Sequence, residues 1–245
     1  MTSIASVREI LTRLIAFDTT SRDSNLPLIE WVEDFLRPLG AELVRAPSED
    51  GRKSNLWARF GPDIPGGIVL SGHTDVVPVD GQPWSTSPWD MNERQGKWYG
   101  RGSCDMKGFI ASSLALVPEA LALPRRKPLH LAFSYDEEVG CVGAPVMLAE
   151  LRQRGIRADG CIVGEPTSMQ PVVAHKGGYF FRCKVHGKAA HSSLTPRGCN
   201  AIEHAARLIC HIRDLADAWR ANGPYDAAFD VPHSTITTNL ITGGI

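Results

Sequence analysis

The sequence predicts an α/β chain: a mostly parallel, helix-covered sheet, followed from residue 179 by a smaller α+β unit. Two observations predict it. Short, near-continuous apolar runs alternate with helical segments through residues 56–163, as in a parallel sheet buried on both faces. Beyond residue 178, apolar and polar residues alternate singly, as in a sheet with one wet face.

Each element has its own local signal. Ser6-Val-Arg-Glu9 reads as a capping box, followed by Val7, Ile10, Leu11, Leu14 and Ile15 at helical spacing. A second helix carries Leu28, Ile29, Val32, Phe35, Leu36 and Leu39 on one face, with Gly40 placed to end it. Leu56–Phe60 and Gly67–Leu70 read as strands, and Phe109–Leu123 as a helix closed by Pro124. Leu129–Phe133 reads as a strand, Ala144–Arg154 as a helix and Cys161–Val163 as a strand. In the second unit Tyr179, Phe181, Cys183 and Val185 alternate with Arg182, Lys184 and His186. A long amphipathic helix then carries Ile202, Ala205, Leu208, Ile209, Ile212, Leu215 and Trp219, and Ser234–Ile241 alternates again as a strand. One helix and two strands bury too little surface to be a complete sheet unit.

Composition narrows the function classes. Of 245 residues, 43% are hydrophobic and 22% charged, an ordinary globular balance that excludes a disordered chain. Twenty-six basic against twenty-seven acidic side chains leave a net charge of −1, so no global field draws in nucleic acid or an anionic membrane. The apolar runs fall short of the roughly 20 residues of a membrane-spanning helix. The N-terminus lacks the charged-then-apolar order of a secretory signal. Cys104, Cys141, Cys161, Cys183, Cys199 and Cys210 are scattered without a Cys-x-x-Cys pair. That spacing predicts reduced, mostly packed thiols and a cytoplasmic protein.

Ligands of open α/β sheets bind beyond the carboxyl ends of the strands, and three strand ends here deliver the same residue types. Ile68-Val-Leu70 runs into His73 and Asp75; Leu129–Phe133 into Asp136, Glu137 and Glu138; Cys161-Ile-Val163 into Glu165. Asp105 lies in the glycine-rich loop Gly100–Gly108, just before a helix. Taken singly these are ordinary: a His-x-Asp is usually a surface turn, and a Glu pair a solvated loop. Gly100-x-Gly102 lacks the third glycine and the βαβ setting of a dinucleotide loop. Together, four such motifs at one end of a sheet predict a two-metal site. Converging carboxylates repel unless cations neutralise them. Imidazole and carboxylate donors suit zinc, cobalt or manganese.

Ser71-Gly-His-Thr-Asp-Val-Val-Pro78, Tyr99-Gly-Arg-Gly-Ser-Cys-Asp-Met-Lys-Gly108, Tyr135-Asp-Glu-Glu-Val-Gly140 and Val163-Gly-Glu-Pro-Thr167 resemble the di-zinc family of acetylornithine deacetylases, succinyl-diaminopimelate desuccinylases, aminoacylases and glutamate carboxypeptidases. Val77–Trp84, Asp105–Ile110, Phe133–Cys141 and Ala174-His-Lys-Gly177 fit its acetylornithine deacetylase branch. The resemblance implies a metal-binding catalytic domain over residues 1–178 and a lid or dimerisation domain from 179, with a homodimer formed through it. It implies that His73 and Glu165 hold one zinc, Asp105 bridges, and Glu138 holds a second, with cobalt as a possible substitute. Asp75 is then the partner behind His73 that fixes its tautomer, and Glu137 the general base. The implied reaction is hydrolysis of N2-acetyl-L-ornithine to L-ornithine and acetate, a step of arginine biosynthesis.

The motif His186-Gly-Lys-Ala-Ala-His191 nominates His191 as an oxyanion donor to a second subunit; on its residues alone it reads as a hydrogen-bonded turn. His130, His175, His204 and His211 read as core or surface residues, and Lys107 and Arg101 as substrate contacts or partners of the acids. Family members run longer, and the returning segment that carries a last metal histidine has no counterpart before Ile245. Either a fragment or a short product fits, and a chain without that histidine is expected to be weakly active or inactive. Related amidohydrolase chemistry, such as desuccinylation or carboxypeptidase action, uses the same metal residues.

Overall fold

The computed structural model describes residues 6–244. The first five residues of the N-terminal stretch and Ile245 of the terminal Gly-Gly-Ile lie outside the described residues. The chain divides into two compact units, one ending at Gln170 and the other beginning at Pro171, slightly ahead of the expected boundary.

The first unit opens with α1 (Val7–Ile15), whose N-terminus carries the expected capping box between Ser6 and Glu9. Helix α2 (Leu26–Leu36) carries Pro27 in its first turn and tightens into a 3₁₀ turn, Arg37–Leu39, that Gly40 ends at φ +82°. Strands β1 (Glu42–Pro47) and β2 (Ser54–Phe60) form a hairpin, and β3 (Ile68–His73) follows. A second hairpin, β4 (Asn92–Arg94) and β5 (Lys97–Tyr99), turns on Gln95 and Gly96, both at positive φ. That twist matches the strands of a two-residue hairpin. Then come α3 (Lys107–Ala122), β6 (Leu129–Ser134), α4 (Gly143–Gln153) and β7 (Gly160–Val163).

The five-stranded sheet runs β1-β2-β6-β3-β7. β3 pairs in parallel with both β6 and β7, while β1–β2 and β2–β6 are antiparallel. The parallel half is the one the alternation of apolar runs and helical segments predicts, whereas β2, also one of those runs, is antiparallel to both of its neighbours. β1 and the β4–β5 hairpin carry no strong periodicity and emerge only with the coordinates. The short link between β1 and β2 allows only an antiparallel pair, since a parallel crossover needs about a dozen residues or more.

Both faces of the sheet are covered, as near-continuous apolar strands require. Leu56, Ala58 and Phe60 of β2, with Leu131 and Phe133 of β6, meet α1, α2 and α3 through Leu14, Leu28, Ile29, Ile110 and Leu114. The alternate residues Trp57 and Ala132 face the other way and pack with Val44, Ala46 and Met147 of α4. Each fully buried large apolar side chain stabilises the fold by about 1.5–3 kcal/mol. This two-sided packing holds β6 and the end of β3 in place, and β7, at the exposed sheet edge, is held by its ladder with β3.

In the second unit α5 (Ala201–Asn222) forms as expected, capped by Asn200, whose side chain accepts from Ile202 N and Glu203 N. The two expected strands do not form: among the described residues, Tyr179–Val185 and 234–241 join no ladder. Bridges pair only Lys188 with Cys199 and Tyr225 with His233. No described residue of this unit is buried. Alternation selects residues that suit a strand, but a strand persists only with a neighbour for its backbone and a face to cover. The thiol expectation is half right. All six cysteines are free, but all are exposed rather than packed. No helix among the described residues is long and apolar enough to cross a membrane.

Candidate metal centre

Strand β3 ends on His73, whose Cα pairs with Ser134 at the end of β6. The imidazole is 1% exposed. Nδ1 lies 2.8 Å from the backbone oxygen of Asp75, so an N–H there donates to a carbonyl and turns Nε2 outward. Nε2 stands 2.9 Å from Asp105 Oδ1, 3.6 Å from Glu165 Oε1 and 3.9 Å from Glu137 Oε2. Two triplets, His73–Asp105–Glu138 and His73–Glu137–Glu165, each offer three donor atoms within 4.8 Å of one another. Five of the six acidic and histidine residues nominated in this unit therefore meet around His73 Nε2.

The sixth, Asp75, does something the sequence did not suggest. Its carboxylate is 3.6 Å from His73 Nδ1, too far for a hydrogen bond, and the carbonyl takes that role instead. The carboxylate accepts from Glu137 N at 3.0 Å, Glu138 N at 3.2 Å and Ser21 Oγ at 2.7 Å. Asp75 thus clamps the loop that carries two of the cluster's acids. Burial pushes its carboxyl up, but the neighbouring His73 imidazole and hydrogen bonds from Ser21 and the Glu137 amide outweigh burial and hold it below the usual range.

Around Asp75 the packing is polar and tight. Thr19 Oγ1 donates to Thr74 O, and Ser21 N to Val76 O. Asn25 exchanges hydrogen bonds with Ser54 and donates to Thr74 Oγ1. Asn55 donates to Ala46 O and Gly143 O and accepts from Tyr135 N. Thr19, Ser21, Asn25, Ser54 and Asn55 lie outside the motifs. Their only signal in the sequence is polarity at positions that turn out buried.

Asp105 sits at the end of the glycine loop. Lys107 N closes that loop on Gly102 O at 2.8 Å, and Gly102 adopts φ +80°. Lys107 is fully buried and donates from Nζ to Phe17 O at 2.7 Å. Burial pulls its pKa down to about 7 against the pull of Asp18 and Asp75. Arg101 lies over the Trp84 ring and donates to Gln82 Oε1. Neither cation forms a salt bridge with an acid among the described residues. Glu165 follows β7; at the preceding Gly164 any Cβ would collide with the Phe109 ring, so only glycine lets this strand end pass α3.

The electrostatics are those of a cation site. Burial lowers the His73 pKa, but Asp75 and then Asp105 outweigh it and raise it to about 9. Burial first, then Asp105, pushes Glu138 up. Glu165 is likewise raised by burial and by Asp105, against the pull of His73. A proton on the imidazole now offsets charge that a divalent cation would offset better. The donors are nitrogen and oxygen alone, which suits zinc, cobalt or manganese. The residues present fit a bound metal.

His191, in the second unit, caps the 3₁₀ turn Ser192–Arg197, with Nδ1 2.9 Å from Ser193 Oγ. His130 lies in β6, bonded to Gly66 O and stacked on Trp57.

Residues 69–235 match the sequence profile of peptidase family M20/M25/M40. An acetylornithine deacetylase of Pasteurella multocida (strain Pm70) is 36% identical over 251 residues, covering 100% of this chain and 64% of that protein. An acetylornithine deacetylase of Shigella sonnei (strain Ss046) is 38% identical over 222 residues, covering 90% of this chain and 57% of its own length. This chain therefore spans about three-fifths of the curated relatives it matches. Among solved structures, an M20 family metallo-carboxypeptidase from Sulfolobus solfataricus superposes with a TM-score of 0.57 at 19% identity, over 65% of this chain and 37% of that one. That likeness is one of fold.

Proposed function

The chain belongs to peptidase family M20/M25/M40, and from that membership we propose that it carries the metal-binding part of an amidohydrolase acting on N2-acetyl-L-ornithine, releasing L-ornithine and acetate. One observation carries the reading: an imidazole and four carboxylates from β3, the glycine loop, the β6 loop and the β7 end share two overlapping donor triplets. The likeness to the two acetylornithine deacetylases supports the substrate.

His73, Asp105 and Glu165 would hold one zinc and Glu138, with Asp105, a second; cobalt could replace either. When bound, such a metal polarises the amide carbonyl and lowers the pKa of water to about 7. Glu137 takes the proton from water and returns it to the leaving amine, microscopic steps a carboxylate beside the donor cluster can perform. Asp75 orients both Glu137 and Glu138 through their amides. His191 supplies an oxyanion donor to a second copy in a cytoplasmic homodimer formed through the smaller unit, and the product feeds arginine biosynthesis.

A second reading has its own support. Both triplets draw on the same imidazole, so two ions cannot each have a histidine from the described cluster. On that reading the chain holds metal without turnover. Assay of the zinc- or cobalt-loaded chain with N2-acetyl-L-ornithine and with N-succinyl-diaminopimelate separates these. Acetyl turnover with two tightly held ions supports the first reading. Preference for the succinyl compound leaves a hydrolase of different specificity, and one ion without turnover supports the second.

A further inference from the structure

Lys53 stands just before β2, far in sequence from every candidate ligand. Its ammonium donates to Ser21 O and to Asp136 Oδ1, each at 2.5 Å. Both charged side chains are only 15% exposed. The two partners lead to the same place. Ser21 donates through Oγ to Asp75 Oδ2. Asp136 directly precedes Glu137 and Glu138, whose amides donate to the two oxygens of the same carboxylate. Lys53, Ser21, Asp75 and the Asp136–Glu138 loop therefore form a closed ring of hydrogen bonds.

The ring closes where the backbone needs support. Asp136 has φ +55°, a left-handed conformation that costs a non-glycine residue energy and persists only where its surroundings enforce it. The surroundings here are the Lys53 ammonium on its side chain and Val142 N on its carbonyl. A partly buried ion pair is sensitive to loss of one member, because the other charge is left poorly solvated.

We infer that Lys53 is a positioning residue for the metal centre: by bracing Asp136 against Ser21 it holds the Glu137 and Glu138 amides on Asp75, and so sets where their carboxylates reach. The inference rests on the metal-centre reading above, though not on the substrate. It assigns a function in the site to a residue that contacts none of the candidate ligands.

The test uses the 245-residue chain. Two readouts are taken: cobalt affinity by competition with a chelator, and amide hydrogen exchange at Glu137 and Glu138 in the metal-free protein. Lys53→Met and Asp136→Asn should each weaken cobalt binding tenfold or more and speed exchange at those two amides by a similar factor. The double variant should be no worse than either single one, and Lys53→Arg should restore most of the affinity. Glu33→Gln, which breaks the Arg45–Glu33 pair between β1 and α2, outside the ring, serves as the control for general destabilisation. If Lys53→Met does not fold, Asp136→Asn alone decides. Cobalt affinity within twofold of the wild type in the folded variants would overturn the inference, as would equal weakening by Glu33→Gln. A wild-type chain that binds no cobalt overturns the metal-centre reading itself, and the inference with it.

Discussion

Deprotonating His73 in the metal-free chain should remove a measurable part of its stability. The imidazole has a folded pKa of about 9 against an ordinary 6.5. A raised pKa means the stabilisation is fully present below 6.5 and is lost as pH rises through 9. At about 1.4 kcal/mol per pH unit, that gap is worth roughly 3 kcal/mol. With the ring 1% exposed, solvent screening takes little from it. Lys107 works in the opposite sense. Its pKa is lowered from 10.5 to about 7, so folding is disfavoured below 7 and stability recovers as pH rises toward 10.5. The raw melting curve therefore mixes two opposed trends, and the difference between wild type and His73→Asn isolates one. In chelator, the wild-type advantage should shrink by roughly 3 kcal/mol between pH 6 and pH 10, or about 6–12 °C in Tm for a chain of this size. Glu138 and Glu165 are also raised, so their contribution likewise falls as pH rises, and both are present in the wild type and in the variant. A wild-type advantage that stays constant or grows with pH would refute the reasoning, since the imidazole would then carry no stabilising proton.

Three other outcomes follow from the geometry. Asp75→Ala removes the acceptor of the Glu137 and Glu138 amides; cobalt affinity should fall by about 10–100-fold, the usual scale for losing an outer partner of a metal site, and chelator competition measures it. Gly164→Ala drives a methyl group into the Phe109 ring, so it should destabilise by about 1–3 kcal/mol through overpacking and, by displacing Glu165, weaken zinc binding at the proposed centre. Thermal melts with and without zinc report both effects. His191→Ala should lower kcat for N2-acetyl-L-ornithine in a dimeric preparation while leaving metal content unchanged; normal kcat in an active dimer would remove His191 from the proposed machinery.

Much of the first unit was legible beforehand for a physical reason. Helices α1, α2 and α3 and strands β2 and β6 bury apolar faces, and burial writes itself into residue periodicity; α4 and β7 have apolar sequences but are largely exposed. His73, Asp105, Glu137, Glu138 and Glu165 were legible because charged residues gathered at three strand ends and in a glycine loop have few structural uses. The strands expected over Tyr179–Val185 and 234–241 show the limit. Their alternation is real, but among the described residues no strand pairs with them.

The sequence by itself determined which residues are apolar enough to make a two-sided sheet and which acids and histidine its strand ends deliver. Tertiary structure alone decided who answers to whom. It gave His73 Nδ1 to a carbonyl rather than to the Asp75 carboxylate, turned that carboxylate onto the Glu137 and Glu138 amides, and brought Lys53 across from β2 to close the ring. Periodicity records whether a side chain is buried. The identity of its hydrogen-bond partner is settled only when segments distant along the chain are packed within about 3 Å of each other, where an unpaired polar group is costly.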